Sequence, residues 1–182
     1  MTKIICISGK AQHGKDTTAS ILQNELEKLG NRVVIIHYAD LLKFICTKYF
    51  NWDGNKDKAG RTMLQEKGKD ARDQNPDYWV DFVIGLIRMY SKEWDYVLIP
   101  DTRYPNEVEK ITSDWQDTVH MRIVRPNFDN GLTEQQKMHS SETALDDYPF
   151  DMLIENTTME ELKNNILEVL PKITNTQKGD ER

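Results

Sequence analysis

The sequence predicts an α/β domain whose parallel sheet is covered by helices on both faces. Three observations carry this. Apolar runs of strand length alternate with stretches of helical period, the first run enters a glycine loop that ends Gly14-Lys15 and opens a helix, and the runs Ile4–Ile7 and Val33–Ile36 are apolar throughout rather than alternating. Such alternation implies right-handed crossovers between parallel strands.

The first strand is the apolar run Ile4–Ile7. After the loop, Ala19, Leu22, Leu26 and Leu29 recur at helical spacing, and Gly30 stands where a helix ends. Arg32–Tyr38 reads as a second buried strand. Asp40 then caps a helix carrying Leu41, Leu42, Phe44, Ile45 and Tyr49. The stretch from Asn51 to Asp77 is polar and lysine-rich, with one helix expected over Thr62–Arg72. Asn75-Pro76-Asp77 is a helix start, and the following Tyr78–Tyr90 is apolar nearly all round, which predicts a buried helix.

Tyr96–Pro100 is the third strand and delivers Asp101 at its carboxyl end. Pro105 begins a helix bearing Val108 and Ile111. Val119–Val124 and Asp151–Glu155 are the fourth and fifth strands. A Thr157-x-x-Glu160 capping box then starts a helix with Leu162, Ile166 and Val169 on one side. Between the last two strands, Arg125–Asp147 has weak periodicity and little apolar content. A connection this long is seldom idle in a compact domain, and here it falls at the carboxyl ends of the strands, where it would form a lid over a ligand crevice.

The loop Gly9-x-x-x-x-Gly14-Lys15 has the spacing of a phosphate-binding loop, with Asp16 where Ser or Thr is usual and Thr17 just behind. Strand, loop and helix come in the order that points backbone N–H groups and the positive helix end at an anion, within reach of the lysine ammonium.

A chain of 182 residues with 38% hydrophobic content fits a single domain, taken as 1–174, followed by a polar tail at 175–182. No run approaches membrane-spanning length and the amino terminus reads as a strand rather than a leader, so a cytoplasmic protein without a membrane partner is expected. Cys6 and Cys46 lie in apolar surroundings and read as buried thiols in a reducing compartment. A formal charge of −6 argues against a nucleic acid partner. Small phosphorylated substrates remain open, as does a homodimer. Asn55-Lys56-Asp57-Lys58 lacks the final Asp of a guanine-reading motif and precedes the third strand, which disfavours a GTP-dependent switch.

Four groups of residues carry a resemblance: the loop ending Gly14-Lys15-Asp16-Thr17; Leu64-Gln65-x-x-Gly68-x-x-x-Arg72 leading to Pro76-Asp77-Tyr78-Trp79; Asp101-x-Arg103-x-Pro105-Asn106-Glu107; and His139-x-Ser141-Glu142. In these the chain resembles bacteriophage-type deoxynucleoside monophosphate kinases, a branch of the P-loop nucleoside monophosphate kinases. The Gly-Lys-Asp loop and an Asp-x-Arg element also recur in animal-type phosphomevalonate kinases. The resemblance implies a P-loop kinase fold with strand order 2-3-1-4-5, an acceptor-binding insertion around 40–75 and a lid around 126–142. It also implies ATP and Mg2+ as cofactors and transfer of the γ-phosphoryl group to a deoxynucleoside 5′-monophosphate. The alternatives are another small-molecule P-loop kinase or a nucleotide-binding module without catalysis.

Phosphoryl transfer needs two anions held in line while charge spreads over the transferred group, so cations must converge. Lys15, Arg103 and Arg125 are the catalytic candidates. Gly9, Lys10, Gln12, His13, Gly14, Lys15, Asp16 and Thr17 form the expected ATP site. On the acceptor side the resemblance assigns Asp40, Lys43, Arg72, Trp79, Arg103 and Glu107, and in the lid Arg125, Lys137, His139 and Glu142. Asp16 and Asp101 are the candidates for magnesium, with Thr17 as an alternative hydroxyl ligand. Each has a plainer reading: Asp101 and Asp40 as helix caps, Lys43 and Arg72 as solvated cations, Trp79 as core, His139 as structural.

Overall fold

The apolar runs pair as expected in the computed structural model, which describes residues 2–175. Strands β1 (Lys3–Ser8), β2 (Val33–Ile35), β3 (Tyr96–Thr102), β4 (Thr118–Val124) and β5 (Met152–Glu155) form one sheet in the order β2-β3-β1-β4-β5, and every neighbouring pair is parallel. The helices are α1 (Lys15–Lys28), α2 (Ala39–Tyr49), α3 (Lys58–Gln74), α4 (Tyr78–Tyr90), α5 (Pro105–Asp114), α6 (Glu134–Lys137), α7 (Ser140–Thr143) and α8 (Met159–Asn175). The expected polar tail lies, apart from Asn175 at the end of α8, outside the described residues. Among the described residues no helix is long and apolar enough to cross a membrane.

Strand side chains alternate between two cores, as the two-residue period demands. Ile5, Ile7, Leu98 and Met121 face α1 and α8, meeting Ala19, Leu22, Leu26, Leu162 and Ile166. Ile4, Cys6, Val97 and Ile99 face the other way, onto Leu42, Cys46, Trp79, Val83 and Ile87 from α2 and α4. Both cysteines are buried free thiols. Helix α1 ends as its glycine predicts: Gly30 takes φ 85°, its N–H donates to Glu27, and the Asn31 N–H reaches back to Leu26, a Schellman closure.

Six local expectations are corrected. The second strand is only three residues long and half-buried, because it lies at the sheet edge; Ile36 and Tyr38 are buried beyond its end. Leu29 is 60% exposed, since the helix closes before that position turns inward. Helix α4 buries one face only: Trp79, Val80, Val83, Ile84 and Ile87 are covered while Tyr78, Phe82 and Met89 stand exposed, because the sheet offers a surface to one side alone. The capping pair of α8 is Thr158 with Glu161, one residue later than expected; the Glu161 N–H donates to Thr158 Oγ1 at 3.2 Å. Asp40 lies inside the first turn of α2 and accepts the His37 N–H, and the cap of that helix comes from β3 instead. Helix α3 also extends further at both ends than 62–72, its first turn fixed by Asp57, which accepts the Gly60 N–H.

Candidate functional site

The β1–α1 loop is held open by glycines that no other residue replaces. Gly9 has φ 152°, and a Cβ there would sit 2.5 Å from the Ile123 carbonyl oxygen of β4; Gly14 has φ 92°, and its Cβ would meet the Asn156 amide nitrogen at 2.4 Å. Gln12 adds a third positive φ of 62°. A run of such turns is the backbone geometry of an anion-binding concavity. Asn156, just after β5, donates to the His13 carbonyl at 2.9 Å, and the Arg125 N–H, just after β4, donates to His13 Nδ1 at 3.1 Å. The loop is thus braced from two neighbouring strands.

Lys15 curls into this loop and donates to the carbonyls of Gly9 at 2.7 Å and Lys10 at 3.0 Å. It is only 7% exposed, and burial, aided by the charge of Arg103, brings its ammonium down to about 8. Arg103, on the loop after β3, donates to the Ser141 carbonyl at 3.0 Å and to Glu142 Oε1 at 2.5 Å. The other Glu142 oxygen accepts the Ala11 N–H of the phosphate loop at 2.7 Å. Lys10 pairs with Asp146, which also holds Arg122. The 125–147 segment therefore lies directly on the phosphate loop through two carboxylates. It leaves an open cleft lined by Lys10, His13, Arg125, Phe128, Lys137 and Glu142. Arg125 stacks on the Phe128 ring at 3.8 Å, Gln12 donates to the Asn130 carbonyl, and Lys137 pairs with Glu134.

Asp101 is the penultimate residue of β3, and its two carboxylate oxygens accept the N–H groups of Tyr38 and Ala39, each at 3.0 Å. This carboxylate caps α2, a different helix from the one that follows it in the chain, and burial pushes its pKa up. Asp16, exposed in the first turn of α1, is paired with His37 at 2.8 Å. The hydrogen bond lowers the Asp16 pKa and raises that of His37, so the pair favours carboxylate and imidazolium. His37 also lies 3.4 Å from Asp40, which holds Lys43 at 2.9 Å. Among the described residues no cluster of three or more His, Cys, Asp or Glu is arranged to hold a metal ion. A magnesium held mainly by phosphates and one carboxylate fits this donor set, whereas an all-protein cage does not. Asp16 is the open carboxylate; both oxygens of Asp101 already accept backbone amides.

On the other side of the crevice, Arg72 of α3 lies over the Tyr104 ring at 5.1 Å, close above Gly68. Glu107 is buried, accepts the N–H groups of Arg103 (2.6 Å) and Tyr104 (3.1 Å), and is pushed up to about 8 by burial. It shapes the loop that carries Arg103 and does not itself line the crevice. Trp79 is 6% exposed and its indole N–H donates to the Gly68 carbonyl, so it packs as core beneath α3. His139 caps the short α7, its Nδ1 accepting the Ser141 N–H. Thr17 is half-buried in the first turn of α1.

The structure thus brings together Lys15, Arg103, Glu142 and the loop, and in a second group Asp16, Asp40 and Lys43; Arg72 reaches from α3 to Tyr104, the residue after Arg103. His37, Tyr104 and Asn156 belong to the site and are not marked by any motif. Their shared signal is position, since each follows the carboxyl end of a strand, where ligands bind in parallel α/β sheets.

No protein-family model matches the chain, and no curated protein matches it by sequence. Solved structures do. An APS kinase, CysC of Mycobacterium tuberculosis, in complex with AMPPNP and APS aligns at a TM-score of 0.52 and 13% identity over 96% of this chain and 98% of that one. A Cys556Ala mutant of the same kinase aligns at 0.50 and 13% identity, covering 93% and 96%. A shikimate kinase from Aquifex aeolicus aligns at 0.49 and 15% identity, covering 97% and 99%. The chain has the fold of the APS kinase: a five-stranded parallel sheet in the order 2-3-1-4-5 with helices on both faces.

Proposed function

We propose that the protein is a P-loop phosphotransferase that moves the γ-phosphoryl group of ATP, with magnesium, onto a deoxynucleoside 5′-monophosphate. One observation carries the reading. A loop amide and Arg103 converge on one carboxylate, that of Glu142, beside the buried Lys15, whose ammonium is held by the loop carbonyls of Gly9 and Lys10. Cations pressed together in a half-dry site are what stabilises charge developing on a transferred phosphoryl group. The fold shared with an APS kinase, itself crystallised with AMPPNP and APS, supports the same class of reaction.

In this reading Lys15 and the amides of residues 9–17 hold the donor phosphates, and Arg103 bridges donor and acceptor. Arg72 binds the acceptor phosphate from α3, with Asp40 and Lys43 at the crevice edge. Magnesium would be held by the phosphates and Asp16 directly, and by Asp101 only through water; it supplies neutralisation of phosphate charge. The 125–147 segment acts as the lid, bringing Arg125 over the donor and excluding water.

The test is a coupled assay of ADP release over a panel of deoxynucleoside monophosphates, with mevalonate phosphate included. Turnover with one of the deoxynucleotides, lost on Lys15→Met, is the expected result. ADP formation with mevalonate phosphate alone replaces the acceptor. ATP binding without ADP formation on any acceptor leaves a nucleotide-binding module.

A further inference from the structure

Among the described residues, Glu142 is the one acidic side chain that contacts the phosphate loop through a backbone amide. Its side chain is 8% exposed, one oxygen accepts the Ala11 N–H at 2.7 Å, and the other pairs with the Arg103 guanidinium at 2.5 Å. It is also close enough to Lys15 for its charge to act on that ammonium. An amide of a phosphate-binding loop, a guanidinium and an ammonium are the partners a phosphate takes, and a bidentate carboxylate is the side chain that best imitates one. The same segment places Asp146 on Lys10 and Arg122, so two of its carboxylates neutralise cations of the crevice.

We infer that Glu142 is a built-in substitute for a substrate phosphate: it takes the loop amide and the guanidinium that a phosphate would take, and has to be displaced before a triphosphate can seat. The inference rests on the phosphotransferase reading. The Ala11 N–H has one proton to give and cannot serve two anions at once, so a donor phosphate that takes it expels the carboxylate. Its departure frees Arg103 for the transferring group and loosens α7 from the loop. Donor binding is thereby coupled to release of the 125–147 segment, and Arg103 is withheld until a phosphate has arrived. The apparent affinity for the donor is reduced by the fraction of molecules in which Glu142 is seated.

The experiment is calorimetric titration of the full chain and of Glu142→Gln, Glu142→Ala and Glu134→Gln with AMPPNP, inorganic tripolyphosphate and adenosine. If Glu142 is seated in about nine molecules of ten, both Glu142 variants bind AMPPNP and tripolyphosphate roughly tenfold more tightly than the native chain, with adenosine unchanged. Glu134 lies in the neighbouring α6 and, among the described residues, is paired with Lys137; its Glu134→Gln variant removes the same charge without touching the loop. Its variant is expected to match the native chain; an equal gain there overturns the inference by showing a general field effect. Unchanged or weaker binding by both Glu142 variants, at unfolding temperatures that show them folded, also overturns it while leaving the phosphotransferase reading intact. If no form of the chain takes up either triphosphate, both readings fall.

Discussion

The phosphate loop and the helix pair α2–α3 face each other across the crevice, and both present cations, yet they are built differently. The loop is made by backbone: Gly9 and Gly14 sit against the Ile123 carbonyl and the Asn156 side chain with no room for a methyl group, and Lys15 is buried against loop carbonyls. The opposite wall is made by side chains on solvated helices. Arg72 lies over Tyr104, Lys43 pairs with Asp40, and Lys67 and Lys69 pair with Asp70 and Asp73 on the outer face of α3. Backbone sites are specified by steric exclusion and tolerate almost nothing. Side-chain sites on exposed helices are tuned by charge and tolerate much, because exposed ion pairs are weak.

The largest effect should therefore come from Gly9→Ala. The methyl group would meet a backbone oxygen of β4, which cannot move without breaking the sheet, so we expect a loss of about 2–4 kcal/mol in unfolding free energy together with loss of nucleotide binding. Chemical denaturation measures it. A variant of native stability would mean that the loop is not sterically fixed, and the contrast between the two walls would collapse.

Second in size is a split between two arginines. Arg103 holds the 125–147 segment through Ser141 and through Glu142, which in turn accepts a loop amide, so Arg103→Ala should lower kcat by about 10²–10³. Arg72 stands on the solvated wall, and Arg72→Ala should raise KM for the acceptor roughly tenfold with kcat little changed. Steady-state kinetics with both substrates varied would show it. Equal losses of kcat in both variants would place the two arginines in one transition-state cluster and erase the division.

The contrast also explains what the sequence disclosed. The alternation of parallel strands and helices and the strand–loop–helix opening were legible because their signals are local: an apolar run, two glycines at fixed spacing and a helical period; the strand order was instead implied by the family resemblance. The extent of β2 was not. Arg32–Tyr38 is apolar enough for a long buried strand, but an edge strand has a neighbour on one side only, and the chain leaves the sheet after Ile35 where Asp101 draws the Tyr38 and Ala39 amides away. The open face of α4 was equally hidden, since Tyr78, Phe82 and Met89 differ from the buried Val83 and Ile87 only by what the fold lays beside them. In the site, Lys15 and Arg103 stand in motifs. His37 and Asn156 act through partners 21 and 143 positions distant, a relation that no spacing records.

Asp101 joins the two walls, since it leaves β3 beside the loop and caps α2 opposite. Asp101→Asn would replace one accepting oxygen with a donor facing a backbone N–H, and about 1–2 kcal/mol of stability should go with it. The loss should be felt first as faster amide exchange at Tyr38 and Ala39, with the loop amides unaffected. Exchange that rises equally in the phosphate loop would show that the two walls open as one unit.

The last test, and the sharpest for the loop that carries Arg103, is a pH dependence. Burial raises Glu107 from an ordinary 4.5 to about 8 in the folded chain. Between those values the native state holds a proton that the unfolded chain releases, so the contribution of Glu107 to stability is fully present below about 4.5 and is lost as pH rises through about 8. His13 and His120 act in the opposite sense, because burial lowers their pKa and their contribution is lost as pH falls. The useful quantity is therefore the difference between the native chain and Glu107→Gln, in which the histidines cancel. The unfolding temperature of Glu107→Gln relative to the native chain should climb steadily from pH 5 to pH 8. A flat difference would mean that the amides of Arg103 and Tyr104, which Glu107 already accepts, offset its burial completely, leaving the Arg103 loop as well solvated as the helices across from it.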